Sequence, residues 1–142
     1  MLSTLAKSLS ESSPARIHGA YTPWGESHLT VEIAPGILFY STPSHGGAFV
    51  PPDIRADWPA ALRDCPTYAG GNWYEEDCDV VLIILAHPDG FTASEVAQAV
   101  HFARTYCRKY APGVWEWIHS SEPHAEKLRD IAALYRELNP TK

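Results

Sequence analysis

Residues Gly70–Pro88 read GGNWYEEDCDVVLIILAHP, and the fold turns on how this stretch is read. After Asp79 it is apolar at both parities, with Val81, Ile83 and Leu85 on one side and Val80, Leu82 and Ile84 on the other. That pattern predicts a central strand over Asp79–Ala86, covered on both faces. Immediately before it stand Glu75, Glu76, Asp77 and Asp79. If extended geometry reaches back to Trp73, then Glu75, Asp77 and Asp79 share one face at spacings of about 6 to 7 Å. Glu76 and Cys78 then point the other way.

Carboxylates crowded on one face repel one another unless a cation, an arginine or a shared proton compensates, which is how sites raise a carboxylate pKa or hold a hard cation. The plainer reading treats these acids as charges closing the end of an aggregation-prone run. Strand-end charges are common and metal sites are rarer, so the plainer reading is favoured and no metal ligand set is assigned.

Upstream, His28–Ala34 alternates polar and apolar residues as a half-buried strand does, placing Leu29, Val31 and Ile33 on the core side. Pro35-Gly36 turns the chain and ILFYST continues it, predicting an antiparallel hairpin over residues 28–43. Pro followed by Gly suits a type II turn, which fits hairpin twist poorly, so a loop wider than two residues is expected. Next comes SHGG, Ser44–Gly47, then AFV as a short third strand ended by Pro51-Pro52. Two readings of His45 stand level. A Gly-Gly turn at positive φ bares N–H groups that can receive an anion beside an imidazole acid or base. A tight turn needs the same glycines for steric reasons alone.

Asp53–Asp64 reads as a short helix despite Pro59. Thr92 and Glu95 form a capping box opening a long helix to about Tyr110, with an inner stripe of Val96, Ala99, Val100, Ala103, Tyr106, Cys107 and Tyr110. Pro123 opens a last helix with Leu128, Ile131, Ala132, Tyr135 and Leu138 on one face. At the other end, Leu2, Leu5 and Leu9 predict a helix or mobile arm over residues 1–14, leaving 15–142 as one domain. The element order is that of an α+β fold, a small, mostly antiparallel sheet packed against helices.

The 142 residues carry a formal charge of −6, which disfavours a broad nucleic-acid-binding surface and suits a protein that binds basic surfaces. Cys65, Cys78 and Cys107 are odd in number and lack CxxC spacing, so a reducing cytoplasm is expected rather than a disulfide framework. Nothing reads as a signal peptide or a membrane span. The histidines show no HxxxH or HExxH spacing, and GxSxG, GxxxxGK[ST] and GxGxxG are absent. No cofactor is expected. Cys78 is a candidate nucleophile with His45 as base, although the neighbouring acids raise a thiol pKa and favour an inert, structural cysteine. Cys107 falls on a helix's inner stripe. Trp115 and Trp117 read first as plugs of the core, the more frequent fate of tryptophan; alternatively, since two residues apart on a helix cannot share a face, one is left outside as a partner anchor.

SHGG, Pro59 with Arg63, Gly70-Gly71, WYEEDCD from Trp73 to Asp79, Pro88 and Phe91 together resemble an uncharacterised bacterial domain family of phage, plasmid and other mobile-element proteins. The likeness spans about residues 40–118. Asn72 is inserted before Trp73, and Val80-Val81 replaces the more usual Trp-Ala. The family carries no mechanism. Its setting implies a small bacterial cytoplasmic inhibitor of host defence, anti-CRISPR or anti-restriction, that binds a host defence protein with a basic surface. His45, Glu75, Glu76, Asp77, Trp115 and Trp117 would form its binding surface. The alternative is a hydrolase or transferase, metal-assisted or not, built on His45 with Glu75, Glu76, Asp77, Cys78 and Asp79.

Overall fold

A computed structural model describes residues 21–140. The segment 1–14 lies outside the described residues. The fold is α+β, as the element order implies, but the decisive stretch folds differently from its reading. Its strand is Trp73–Glu75 only (β6), and the apolar run is a helix, Val80–Ala86 (α3).

The physical reason is that a run apolar at every position fits a helix buried all round as well as a strand buried on both faces. Val80, Val81, Leu82, Ile83, Ile84 and Leu85 are all buried. Four of these six are β-branched, which lowers helix propensity by a few tenths of a kcal/mol each. Burial returns about 1.5 to 3 kcal/mol per side chain, so packing overrides propensity. The first helical bond already runs from Asp79 N–H to Glu75 O at 2.9 Å, winding the chain straight after β6.

Backbone packing divides the chain into two compact units: one runs up to Trp58 and resumes over Pro66–Val80, the other holds Pro59–Cys65 and Val81 onward. The first unit contains a two-stranded ribbon, Tyr21–Thr22 (β1) and Gly25–Glu26 (β2). It also contains an antiparallel sheet ordered β3-β4-β5-β6, with β3 Leu29–Ala34, β4 Ile37–Ser41 and β5 Gly46–Phe49. The expected hairpin is present. Ala34 pairs with Ile37 across a two-residue turn, with Gly36 at φ +79°, so the loop is tighter than expected and a bulge between Glu32 and Ala34 absorbs the mismatch. Val31, Ile33, Phe39, Ala48 and Tyr74 are buried, whereas Leu29 is only half-buried. The helix expected over 53–64 is two short ones, Pro52–Ala56 (α1) and Ala60–Arg63 (α2), interrupted at Trp58-Pro59 because proline supplies no N–H to continue the first.

In the second unit, Ala93–Tyr110 (α4) packs against Pro112–Ile118 (α5) and Pro123–Leu138 (α6). The capping box forms as read: Glu95 N–H donates to Thr92 Oγ1 at 3.1 Å, and Thr92 N–H donates to Glu95 Oε1 at 2.8 Å. Val96, Ala99, Val100, Ala103 and Cys107 are buried on the inner stripe. Tyr106 and Tyr110 depart from it, lying exposed and stacked in series with Phe102 at 4.6 Å centroid spacings. In α6, Leu128 and Ala132 are buried but Leu138 is exposed. Among the described residues no helix is long and apolar enough to cross a membrane.

Candidate functional site

Antiparallel pairing brings together the two sequence features that stand far apart. Gly47 pairs with Glu75, Ala48 with Tyr74 and Phe49 with Trp73, so the start of β5 lies beside the end of β6. Glu76 N–H extends the ladder to Gly46 O at 3.0 Å. His45, one residue before β5, is fixed by its own turn. Thr42 Oγ1 donates to His45 O at 2.6 Å and accepts from His45 N–H at 3.1 Å, and Thr42 N–H also reaches His45 O. Beyond β6 the chain turns through Glu76–Asp79, returning Asp77 towards Glu75. One ligand atom each from His45, Glu75 and Asp77 then lies within 4.8 Å of the others. His45 and Asp77 are exposed and Glu75 half-buried, a histidine and two carboxylates at a spacing that suits a divalent cation.

The double glycine serves a purpose other than the expected turn. Among the described residues, positive φ occurs at Gly25, Gly36, Gly70 and Gly71, not at Gly46 or Gly47, which are extended in β5. There is thus no N–H nest at these two glycines. A Cβ on Gly47 would run into the Trp24 ring and come within 2.5 Å of Tyr74 O; one on Gly46 would lie 2.9 Å from Tyr40 O. The glycines admit a neighbouring strand and the Trp24 indole at closest approach. Trp24 in turn meets Trp73 edge-on at 5.8 Å, and Tyr40 and Phe49 flank Trp73 at 5.5 and 5.1 Å. All four rings are half-buried. The strand register puts Tyr40, Gly47 and Glu75 on the same sheet face as Phe49 and Trp73, so an aromatic cluster adjoins the acids. Sequence reasoning missed this cluster. Its only signal was Trp73 beside the acids, since the partner rings are distant in the chain.

Asp79 leaves the acidic face. It is 6% exposed, and its carboxylate accepts from the backbone N–H groups of Tyr68 (2.9 and 3.0 Å), Glu75 (3.1 Å) and Ala69 (3.3 Å). The arrangement of Glu75, Asp77 and Asp79 on one strand face is therefore corrected, because the chain turns into a helix at this point. Asp79 ties the loop at Tyr68-Ala69 and the end of β6 to the helix start.

Burial pushes the Glu75 carboxyl up, with the Asp77 and Asp79 charges adding and the Asp77 and Cys78 N–H groups opposing. Burial also raises Glu76, with Asp77 and Glu75 adding, against the pull of His45 and the Gly46 N–H. Cys78 is half-buried, and desolvation followed by the Glu75, Asp79 and Asp77 charges raises its thiol, which suppresses the thiolate a nucleophile needs. Cys107 is buried and pushed up to about 11, first by burial. Trp117 faces the core side of α5. It is 6% exposed, with its indole N–H donating to Glu122 Oε2 at 2.7 Å. Trp115, on the other side of α5, is half-buried beside His119 and under the Arg108 guanidinium.

These features define an α+β protein with an acidic, histidine-bearing site assembled between two sheet strands and bordered by aromatic rings. The chain belongs to the family described as Domain of unknown function (DUF7007), whose model matches residues 17–138. Comparison with curated proteins and with solved structures returned no match.

Proposed function

We propose that the protein is a binding protein whose working surface is the sheet face carrying His45, Glu75, Glu76 and Asp77 together with Trp24, Tyr40, Phe49 and Trp73, and that its partner presents a basic surface. The observation that carries this reading is the adjacency of a carboxylate cluster and half-buried aromatic rings. Among the described residues no lysine or arginine pairs with Glu75, Glu76 or Asp77. Aromatic anchors ringed by charge are the usual make-up of an interface that is both tight and selective. The resemblance of SHGG and WYEEDCD to mobile-element proteins is what points to a host defence protein as the partner, such as an RNA-guided or restriction complex with a nucleic-acid-binding face. The setting is then the cytoplasm of a bacterial host.

The test is complex formation with purified defence complexes, followed by calorimetry. The expected result is a complex that weakens as salt rises and loses at least about tenfold in affinity when Glu75→Gln, Glu76→Gln and Asp77→Asn are combined. Because Glu75 and Glu76 are held above the ordinary carboxylate range, binding should also fall as pH drops through that raised range, where the protonated acids no longer attract a cation. Intact binding by the triple variant would remove the acidic face from the mechanism.

A second reading rests on the spacing of His45, Glu75 and Asp77: a divalent cation held there supports a metal-assisted hydrolase or transferase. One imidazole and two carboxylates favour zinc or manganese over magnesium. On this reading, zinc or manganese titrates onto the protein with a stoichiometry of about one. His45→Ala abolishes that binding, and the protein turns over substrate when substoichiometric. Full potency of His45→Ala with no metal uptake by the unsubstituted protein would end it.

A further inference from the structure

The β1–β2 ribbon turns at Pro23-Trp24, and the turn is fixed: Thr22 Oγ1 accepts from the Trp24 N–H at 3.1 Å and donates to Gly25 O at 2.8 Å. The Trp24 indole is thereby laid over Gly47, where its six-membered ring occupies the space a Cβ would take. Gly47 is the β5 partner of Glu75, so a half-buried ring that solvent still reaches stands beside a carboxylate. Glu75, half-buried, and Asp77, exposed, each bring an oxygen within 4.8 Å of the other. A second ring is held nearby. Tyr68 is 88% exposed, yet its backbone is pinned: its N–H and that of Glu75 both donate to Asp79 Oδ2, at 2.9 and 3.1 Å. Sharing one acceptor sets those two nitrogens no more than about 6 Å apart. The loop is braced further by the Gly70 N–H on Thr67 Oγ1 at 2.9 Å, and by Arg55 Nη1 on Gly71 O and Asn72 Oδ1. A tyrosine this exposed contributes little to the core, and a braced loop presents it with little ordering left to lose on binding.

We propose that this junction selects arginine over lysine: one guanidinium of the basic partner protein forks onto Glu75 and Asp77 while its flat face lies against the bordering rings of Trp24 and Tyr68. The inference rests on the acidic sheet face being the binding surface, and it names the side chain that surface reads. A guanidinium is planar, weakly hydrated and carries several N–H groups in one plane, so it meets carboxylates with its edge and an aromatic ring with its face at once. A lysine ammonium brings the same charge without the plane. It also holds its water more tightly, which counts against it beside a half-buried carboxylate.

The test titrates the full chain, with a chelator present, against two short blocked peptides that are identical except that the arginines of one are lysines in the other. Calorimetry at equal ionic strength gives the ratio of their affinities. The arginine peptide is expected to bind roughly three- to thirtyfold more tightly, the range of one cation–π contact. Trp24→Leu and Tyr68→Ala should each narrow that ratio while leaving the affinity for the lysine peptide near that of the parent. Tyr68→Phe keeps the ring and should preserve the ratio. Tyr68→Ala removes only an exposed ring and retains the backbone N–H that Asp79 holds, so it keeps the test decisive if Trp24→Leu unfolds. Equal affinity for the two peptides, with both weakened by Glu75→Gln and Asp77→Asn, overturns arginine selection and leaves the acidic binding surface standing. An arginine preference unchanged in both Trp24→Leu and Tyr68→Ala overturns it too. Saturable binding of neither peptide overturns it together with that surface.

Discussion

Gly47→Ala is expected to destabilise the protein by about 3 kcal/mol, at the upper end of what overpacking usually does. An alanine Cβ at this position would meet two obstacles. One is the Trp24 ring, which could swing away and abandon Trp73 and the aromatic cluster. The other is Tyr74 O at 2.5 Å, a backbone atom of the paired strand that cannot withdraw without opening the β5–β6 ladder. The denaturant midpoint should fall with an unchanged m value, and tryptophan fluorescence should report the displaced indole. Gly113→Ala is the matched control. It lies in α5 with open space around the added methyl group and no positive φ, so it should be neutral or stabilising by about 0.5 kcal/mol. Equal stability of Gly47→Ala and the parent would refute the close-approach account of the double glycine.

Asp79→Ala is expected to remove about 3 kcal/mol for a different reason: three backbone N–H groups would be left facing a site with no acceptor. Asp79→Asn keeps one acceptor oxygen but turns an amide NH2 towards a backbone donor, and should lose about 1 kcal/mol. Hydrogen exchange should place the new protection loss at Tyr68, Ala69 and Glu75. Were Asp79 instead a member of the charged face, Asp79→Asn would keep the fold's stability and lose binding. That pattern would return it to the site.

The two variants mark how far the chain could be read before its structure. Local signals survived: the Pro35-Gly36 hairpin, the Thr92 and Glu95 box, and the different burial of two tryptophans on one helix. Each is decided within a few residues, where turn and capping chemistry dominates. Readings failed where the answer depended on what lay opposite. Val80–Leu85 carries no periodicity to separate helix from strand, and only the surrounding packing chooses. The glycines of SHGG looked like a turn because the Trp24 ring they accommodate lies 23 positions upstream of Gly47. Asp79 looked like one more acid in a row, for its three donors come from a loop and a strand end whose placement no local pattern announces. The meeting of His45 with Glu75 and Asp77 follows from β5–β6 pairing, which no local pattern specifies.

That pairing has a thermodynamic consequence. His45 sits ahead of β5 and Glu75 ends β6, so the unfolded chain separates them by a long loop, and only the native state presents them together. Whatever binds across them binds the folded protein in preference to the unfolded one and adds RT ln(1 + [L]/Kd) to its stability, about 2.7 kcal/mol at a hundredfold excess over Kd. A rise in melting temperature therefore reports occupancy of this junction directly, and a library of cations or basic peptides can be ranked by it before any partner has been identified.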